Sequence, residues 1–167
     1  MRRRIEAYAE LMLDLGKLDV AEIATALSDQ IDYEHRWLID PRTGEVVFWT
    51  SDTGIDGENP VILEELDLML IDPLPSAVWY ADMADFAEGA SDDTAGRRLG
   101  RAIRGRGAFS RFRDELFEEY PDLVPAWHAF RDTRATCRAV EWLLDQELIP
   151  DEAARKFLVD HPDPDLP

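Results

Sequence analysis

The chain has 167 residues, of which 46% are hydrophobic and 10% aromatic, with one cysteine and a formal net charge of −18. This is about one domain's length with enough apolar material to bury roughly 70% of the unfolded surface, which excludes an intrinsically disordered chain. The lone Cys137 excludes an internal disulfide and a cysteine-built zinc site and points to a reducing, cytoplasmic setting, while the acidity works against nucleic acid and anionic membranes as partners.

Met1 to Arg4 is basic like the start of a secretion signal, but Glu6, Glu10 and Asp14 break the apolar run that should follow, so no signal is expected. No segment approaches the roughly 20 apolar residues of a membrane span. Ile5, Tyr8, Ala9, Met12 and Leu15 share one face at helical spacing, with a stop near Gly16. A second helix is expected from Asp19, whose carboxylate can cap it, with Val20, Ile23, Ala24 and Leu27 turned inward.

The period then changes from helical to alternating. In "YEHRWLID", Tyr33, His35, Trp37 and Ile39 alternate with polar residues; "PRTG" follows, then the β-branched and aromatic "EVVFWT". This predicts a hairpin. "DLMLIDP" is a third strand, ended by Pro73. The intervening "SDTGIDGENP" has Gly57 sixth from Asp52, like a calcium-binding loop, but Gly54 and Leu63 occupy the third and twelfth places where carboxylates belong. It therefore reads as an exposed turn.

From Pro75 the pattern is helical, with helices expected at about 76–88, 93–104, 108–120, 125–147 and 151–159. The expected fold class is α+β: a small antiparallel sheet of three or more strands within about 33–72, packed by an N-terminal helix and a C-terminal helical half. Residues 1–159 are expected to form one domain, and "HPDPDLP" a flexible tail over 160–167.

Basic residues are unevenly placed. Between Arg97 and Arg138 there are ten basic and six acidic residues, against eight basic and thirty acidic in the rest of the chain. Arg97, Arg101 and Arg104 fall within about 60° of one another on a helical wheel, opposite Leu99, Ala102 and Ile103. Gly105-Arg106-Gly107 interrupts the helix with residues suited to positive φ. The next helix turns Phe109, Phe112, Leu116 and Tyr120 inward and carries Arg111 and Arg113 near its start, where cations oppose the helix dipole and need a partner elsewhere. Farther on, Trp127, Arg131, Arg134, Arg138 and Trp142 line one face, opposite Phe130, Cys137, Val140, Leu144 and Leu148.

Arg97, Arg101, Arg104, Gly105, Arg106, Gly107, Arg111, Arg113, Trp127, Arg131, Arg134 and Arg138 are thus candidates for binding a protein partner or small anion. Trp79, Tyr80 and Trp142 are further aromatic candidates for the same surface. The alternative is that these arginines meet the chain's own thirty-six carboxylates in internal or subunit-interface pairs.

The succession "DVAEIATAL", "DPRTGEVV", "LGRAIRGRGAFSRFRDEL", "AWHAFRD" and "AVEWLL" resembles bacterial uncharacterised protein family 0158 over roughly residues 18–149. Its most specific piece runs from Ala102 to Phe112. The family commonly has Lys at Arg106 and often at Arg113, and often Trp-Tyr at Trp127-His128. The resemblance implies a cytoplasmic bacterial protein and brings no activity, cofactor or catalytic residue.

No nucleophile and base stand together in the pattern. Cys137 lies on the expected core face, His35 on an apolar strand face, His128 beside Trp127 and His161 in the tail; no two histidines have metal spacing. Gly105-Arg106-Gly107 joins two helices, which is not a phosphate-binding loop. Abundant acidic pairs such as Glu64-Glu65 and Glu118-Glu119 read as solvated faces. The pattern leans toward a non-enzymatic binding or regulatory protein without cofactor or metal, whose oligomeric state is open. The alternative is an enzyme on a phosphorylated or nucleotide substrate held by Arg101, Arg104, Arg106 and Arg113.

Overall fold

A computed structural model describes residues 11–30 and 34–167. Most of the expected first helix and the Tyr33 start of the first strand lie outside the described residues. Within the described part of that helix the chain is not α-helical: Leu15–Lys17 is a 3-10 turn, opened by Asp14 accepting from the Gly16 amide. The described residues form an α+β fold, 56% helical and 8% strand.

Contacts divide the chain into two units, Met1–Leu74 with Ala135–His161, and Pro75–Arg134 with Pro162–Pro167. In the first, α1 (Val20–Ser28) begins as its sequence dictates: Asp19 accepts from the Glu22 amide at 3.0 Å, supplying one of the donors a helix start leaves unpaired. Its inner face is Ile23, Ala24, Ala26 and Leu27, all buried. Strands β1 (His35–Ile39) and β2 (Val46–Thr50) form the expected hairpin, with Trp37 opposite Phe48. Asp40 closes the connecting loop, its carboxylate taking the Arg42 amide and Nε while its carbonyl takes the Gly44 amide; Gly44 sits at φ 80°, where a side chain is strained.

Only Met69–Leu70 of the third expected strand pairs, as β3, and it pairs with β1, giving the order β2-β1-β3. Being central, β1 is covered on both faces at its end: Leu38 and Ile39 are both buried, so the simple alternation read from the sequence stops there. The tryptophan indoles anchor this unit, Trp37 Nε1 donating to Asp29 at 2.7 Å and Trp49 Nε1 to the Val61 carbonyl at 2.8 Å. Helix α6 (Asp151–Asp160) belongs here.

The second unit contains α2 (Ser76–Gly89), α3 (Asp93–Ala102) and α4 (Ala108–Glu119). It also takes α5 (Val124–Asp145) as far as Arg134, the later residues of that helix belonging to the first unit. Its core is aromatic and centred on Phe86, whose ring meets Trp127 at 5.3 Å, Phe130 at 5.7 Å and Phe112 at 6.3 Å, all edge-on. This edge-to-face geometry adds about 0.5–1.5 kcal/mol per pair beyond area burial. Helices α2 and α3 approach closely at Gly96, where a Cβ would stand 2.7 Å from the Ala87 carbonyl oxygen.

Candidate functional site

The arginine-rich passage is built as its pattern predicts: helix, left-handed turn, helix. Asp92 caps α3 through the Thr94 and Ala95 amides, and Leu99 and Ile103 are buried while Arg97, Arg101 and Arg104 are exposed. Gly105 and Gly107 sit at φ 80° and 74°, and Gly107 is the residue before α4. Arg111 explains how an arginine can stand in the first turn of α4. Its Nε donates to the Ala102 carbonyl at 2.8 Å and its Nη2 to the Arg104 carbonyl, so it compensates the electronegative end of α3 rather than opposing its own helix alone.

The arginines then divide by partner. Arg98 pairs with Glu115 at 2.6 Å and Glu119 at 3.6 Å and lies over the Tyr120 ring. These carboxylates hold its guanidinium above its ordinary pKa against the desolvation that lowers it. Among the described residues, Arg113 reaches its neighbour Asp114 at 4.0 Å, and Arg131 reaches Asp132 at 3.2 Å. Arg134 forks onto both oxygens of Asp163 at 3.1 and 2.9 Å and also meets Asp85 and the buried Asp82, with its guanidinium 4.6 Å from the Phe130 ring centre. The Asp163 hydrogen bonds, then those of Asp85, raise its pKa well above the ordinary arginine value despite desolvation. Arg138 lies in the other unit.

No carboxylate of a described residue lies within 4.0 Å of Arg97, Arg101, Arg104 or Arg106. Three of these line one open groove of about 730 Å³ between α2 and α3. The α3 wall is Asp93, Gly96, Arg97, Gly100, Arg101, Ile103 and Arg104; the facing wall is Ala84, Ala87, Glu88 and Ala90. Arg97 is oriented by its Nε donating to the Asp93 carbonyl at 3.2 Å. Gly105, Arg106, Gly107, Arg111 and Arg113 do not line the groove.

Some sequence-level placements change. Trp127, expected on the arginine face, is 8% exposed and belongs to the aromatic core, because α5 buries Trp127 together with Phe130, three residues on, against Phe86. Phe109, expected inside, is 47% exposed; the unit's inner face of α4 is carried by Ala108, Phe112 and Leu116. Leu143 rather than Leu144 is fully buried. Cys137 is only partly buried, its Sγ donating to the His161 carbonyl at 3.4 Å. Asp56 in the Gly-rich loop accepts from the Glu58 and Asn59 amides and from Asn59 Nδ2, all at 2.7–2.8 Å. Among the described residues, no group of three or more His, Cys, Asp or Glu side chains could hold a metal ion.

Sequence reasoning missed the α2 wall of the groove and the carboxylate set around Arg134. Glycine at positions 96 and 100, one turn apart on the arginine helix, was the available signal for the first. Nothing in the spacing of Asp82, Asp85 and Asp163 pointed to a shared partner 29 to 52 residues away.

The model of the uncharacterised protein family UPF0158 matches residues 11–161. A UPF0158 protein of Pseudomonas aeruginosa is 31% identical over 141 residues, which cover 83% of this chain and 88% of that protein. No solved structure matches the chain. Neither similarity assigns an activity, but together they settle membership: the chain belongs to the uncharacterised protein family UPF0158.

Proposed function

We propose that this is a non-enzymatic, cytoplasmic binding protein that receives an anionic group of its partner against Arg97, Arg101 and Arg104. The observation that carries this reading is a row of three guanidinium groups, two on α3 and one in the turn after it, without carboxylate partners among the described residues, in a chain holding thirty-six carboxylates. Elsewhere in the same unit Arg98 and Arg134 each gather at least two carboxylates, so acidic partners are abundant. A single cation in the last turn of α3 is accounted for by the helix dipole; a row extending back to Arg97 is not. The groove wall brings alanine, glycine, isoleucine, arginine and two carboxylates but no hydroxyl, thiol or imidazole, which favours holding over transforming a ligand.

A thermal-shift series with inorganic phosphate, pyrophosphate, polyglutamate and a short single-stranded oligonucleotide tests the reading. At a concentration near 100 times its Kd, a true ligand stabilises by about 2.7 kcal/mol, which raises the midpoint by roughly 5–10 °C for a chain of this size. The rise should vanish in Arg101→Ala/Arg104→Ala. If no anion moves the wild-type midpoint, the reading fails.

A further inference from the structure

Resting on that reading, we propose that the groove's occupant is an acidic helical segment of a partner protein, running antiparallel to α3 with its backbone close over Gly100. The charge in the groove is arranged in a row. Arg97 and Arg101 stand one turn apart on α3, about 6 Å along its axis, and Arg104 follows in the turn just past the helix end. Such a row suits several anions in a line, whereas a single phosphate is held by groups that converge on one point. A partner helix repeats the same 3.6-residue period, so carboxylates at matching spacing meet the three guanidinium groups one to one.

Gly100 points the same way. A Cβ there would meet nothing within 4 Å, although the position is in the last turn of α3, where glycine is still a poorer helix former than alanine. Gly96 is explained by the Ala87 carbonyl against it; Gly100 has no such internal reason. It lies in the groove between Arg97 and Arg101, opposite alanines. Small residues on both walls let a second helix approach until its carboxylates reach the arginines.

The two ends of the groove differ in charge, which sets a direction. Glu88 and Asp93 line the end of the groove nearest the α2–α3 connection, and Arg101 and Arg104 line the other end. A helix whose carboxylates lie toward its N-terminus and whose cation lies toward its C-terminus is itself stabilised by its dipole. Placed antiparallel to α3 it meets Arg104, Arg101 and Arg97 in turn and then sets its cation beside Glu88 and Asp93. The pattern is Glu-x-x-Glu-x-x-x-Glu-x-x-x-Lys. At about 0.1 M salt the Debye length is about 10 Å, so the chain's distant acidity is screened while the groove contacts are not.

The test is anisotropy at 0.1 M salt with a fluorescein-labelled, alanine-based helical peptide of that pattern. Comparators are the same composition with the charges moved to other faces, a labelled single-stranded oligonucleotide, and inorganic phosphate as competitor. The patterned peptide should bind more tightly than the rearranged one by about tenfold or more, about 1.4 kcal/mol. Arg101→Glu should abolish binding, and a peptide with Lys in place of its central Glu should restore it. Gly100→Leu should weaken binding to a similar extent without lowering the thermal midpoint. Equal binding of the two peptides, or tighter Arg101-dependent binding of the oligonucleotide, overturns the helical occupant while leaving the anion groove standing. If neither peptide nor oligonucleotide binds and phosphate gives no thermal shift, the groove reading itself has failed.

Discussion

Replacing Arg134 with methionine removes a guanidinium that Asp82, Asp85 and Asp163 share. Asp82 is the decisive partner, because its side chain is 1% exposed whereas Asp85 and Asp163 are about half-exposed. Taking away one member of a fully buried ion pair costs about 3–5 kcal/mol. Exposed pairs contribute about 0–1 kcal/mol each. The Arg134 side chain retains 22% exposure, so water reaches the site and the buried figure is an upper bound. The expected loss is about 2–4 kcal/mol, or roughly 5–15 °C in melting midpoint. Urea unfolding followed by tryptophan fluorescence reads it out, since Trp127 is buried in the same unit. Asp82→Asn in the Arg134→Met background should restore part of the loss, giving a coupling of about 1 kcal/mol or more in a double-mutant cycle. The raised pKa of Arg134 means that its contribution is complete below the ordinary arginine value and is lost only as pH climbs through the folded value. The effect should therefore be constant across neutral pH. Stability of Arg134→Met within about 0.5 kcal/mol of wild type would refute the anchor.

Gly96→Ala and Gly100→Ala both raise the helix propensity of α3, so an opposite sign between them reports packing. Gly100→Ala, in the last turn of α3, should stabilise by up to about 0.8 kcal/mol in chemical denaturation, whereas Gly96→Ala, pressed on the Ala87 carbonyl, should destabilise by about 1–3 kcal/mol. Gly107→Ala has open space around its Cβ but a φ of 74°, so a loss of about 1–2 kcal/mol measures backbone strain alone. Asp56 should titrate at about 2, held down first by the Asn59 amide, then by the Asn59 side chain and the Glu58 amide. Its contribution to loop stability is present above the ordinary value and disappears as pH falls through about 2; a carboxyl ¹³C midpoint near 3.9 would contradict those bonds.

Helix existence and order were legible from Asp19 onward because local signals mark them: Asp19 at a start, Gly105 and Gly107 at a stop, and an apolar face at a period of 3.6. The groove was half legible. Arg97, Arg101 and Arg104 could be set on one face from spacing, but the α2 wall depends on how closely two helices approach, which Gly96 permits and no periodicity announces. Trp127 was misplaced for a related reason. On a helix with aromatics at 127 and 130 and arginines at 131, 134 and 138, a wheel offers two faces, and the aromatic core around Phe86 decides between them. The pairing of β3 with the far side of β1 was invisible because short strands carry no code for their neighbours beyond alternation.

The Arg111 staple also bears on the order in which the protein forms. It joins α4 to carbonyls only nine and seven residues back, whereas β3 must find β1 across the span from Leu38 to Leu70. Closing the shorter loop loses less chain entropy, so the helix–turn–helix acquires its long-lived contacts first. On the ribosome the contrast is sharper. The second unit is almost complete once Arg134 has emerged, while the first waits for residues 135–161. The passage from Ala102 to Phe112 that marks the family is thus also a segment able to take shape while the chain is still being made.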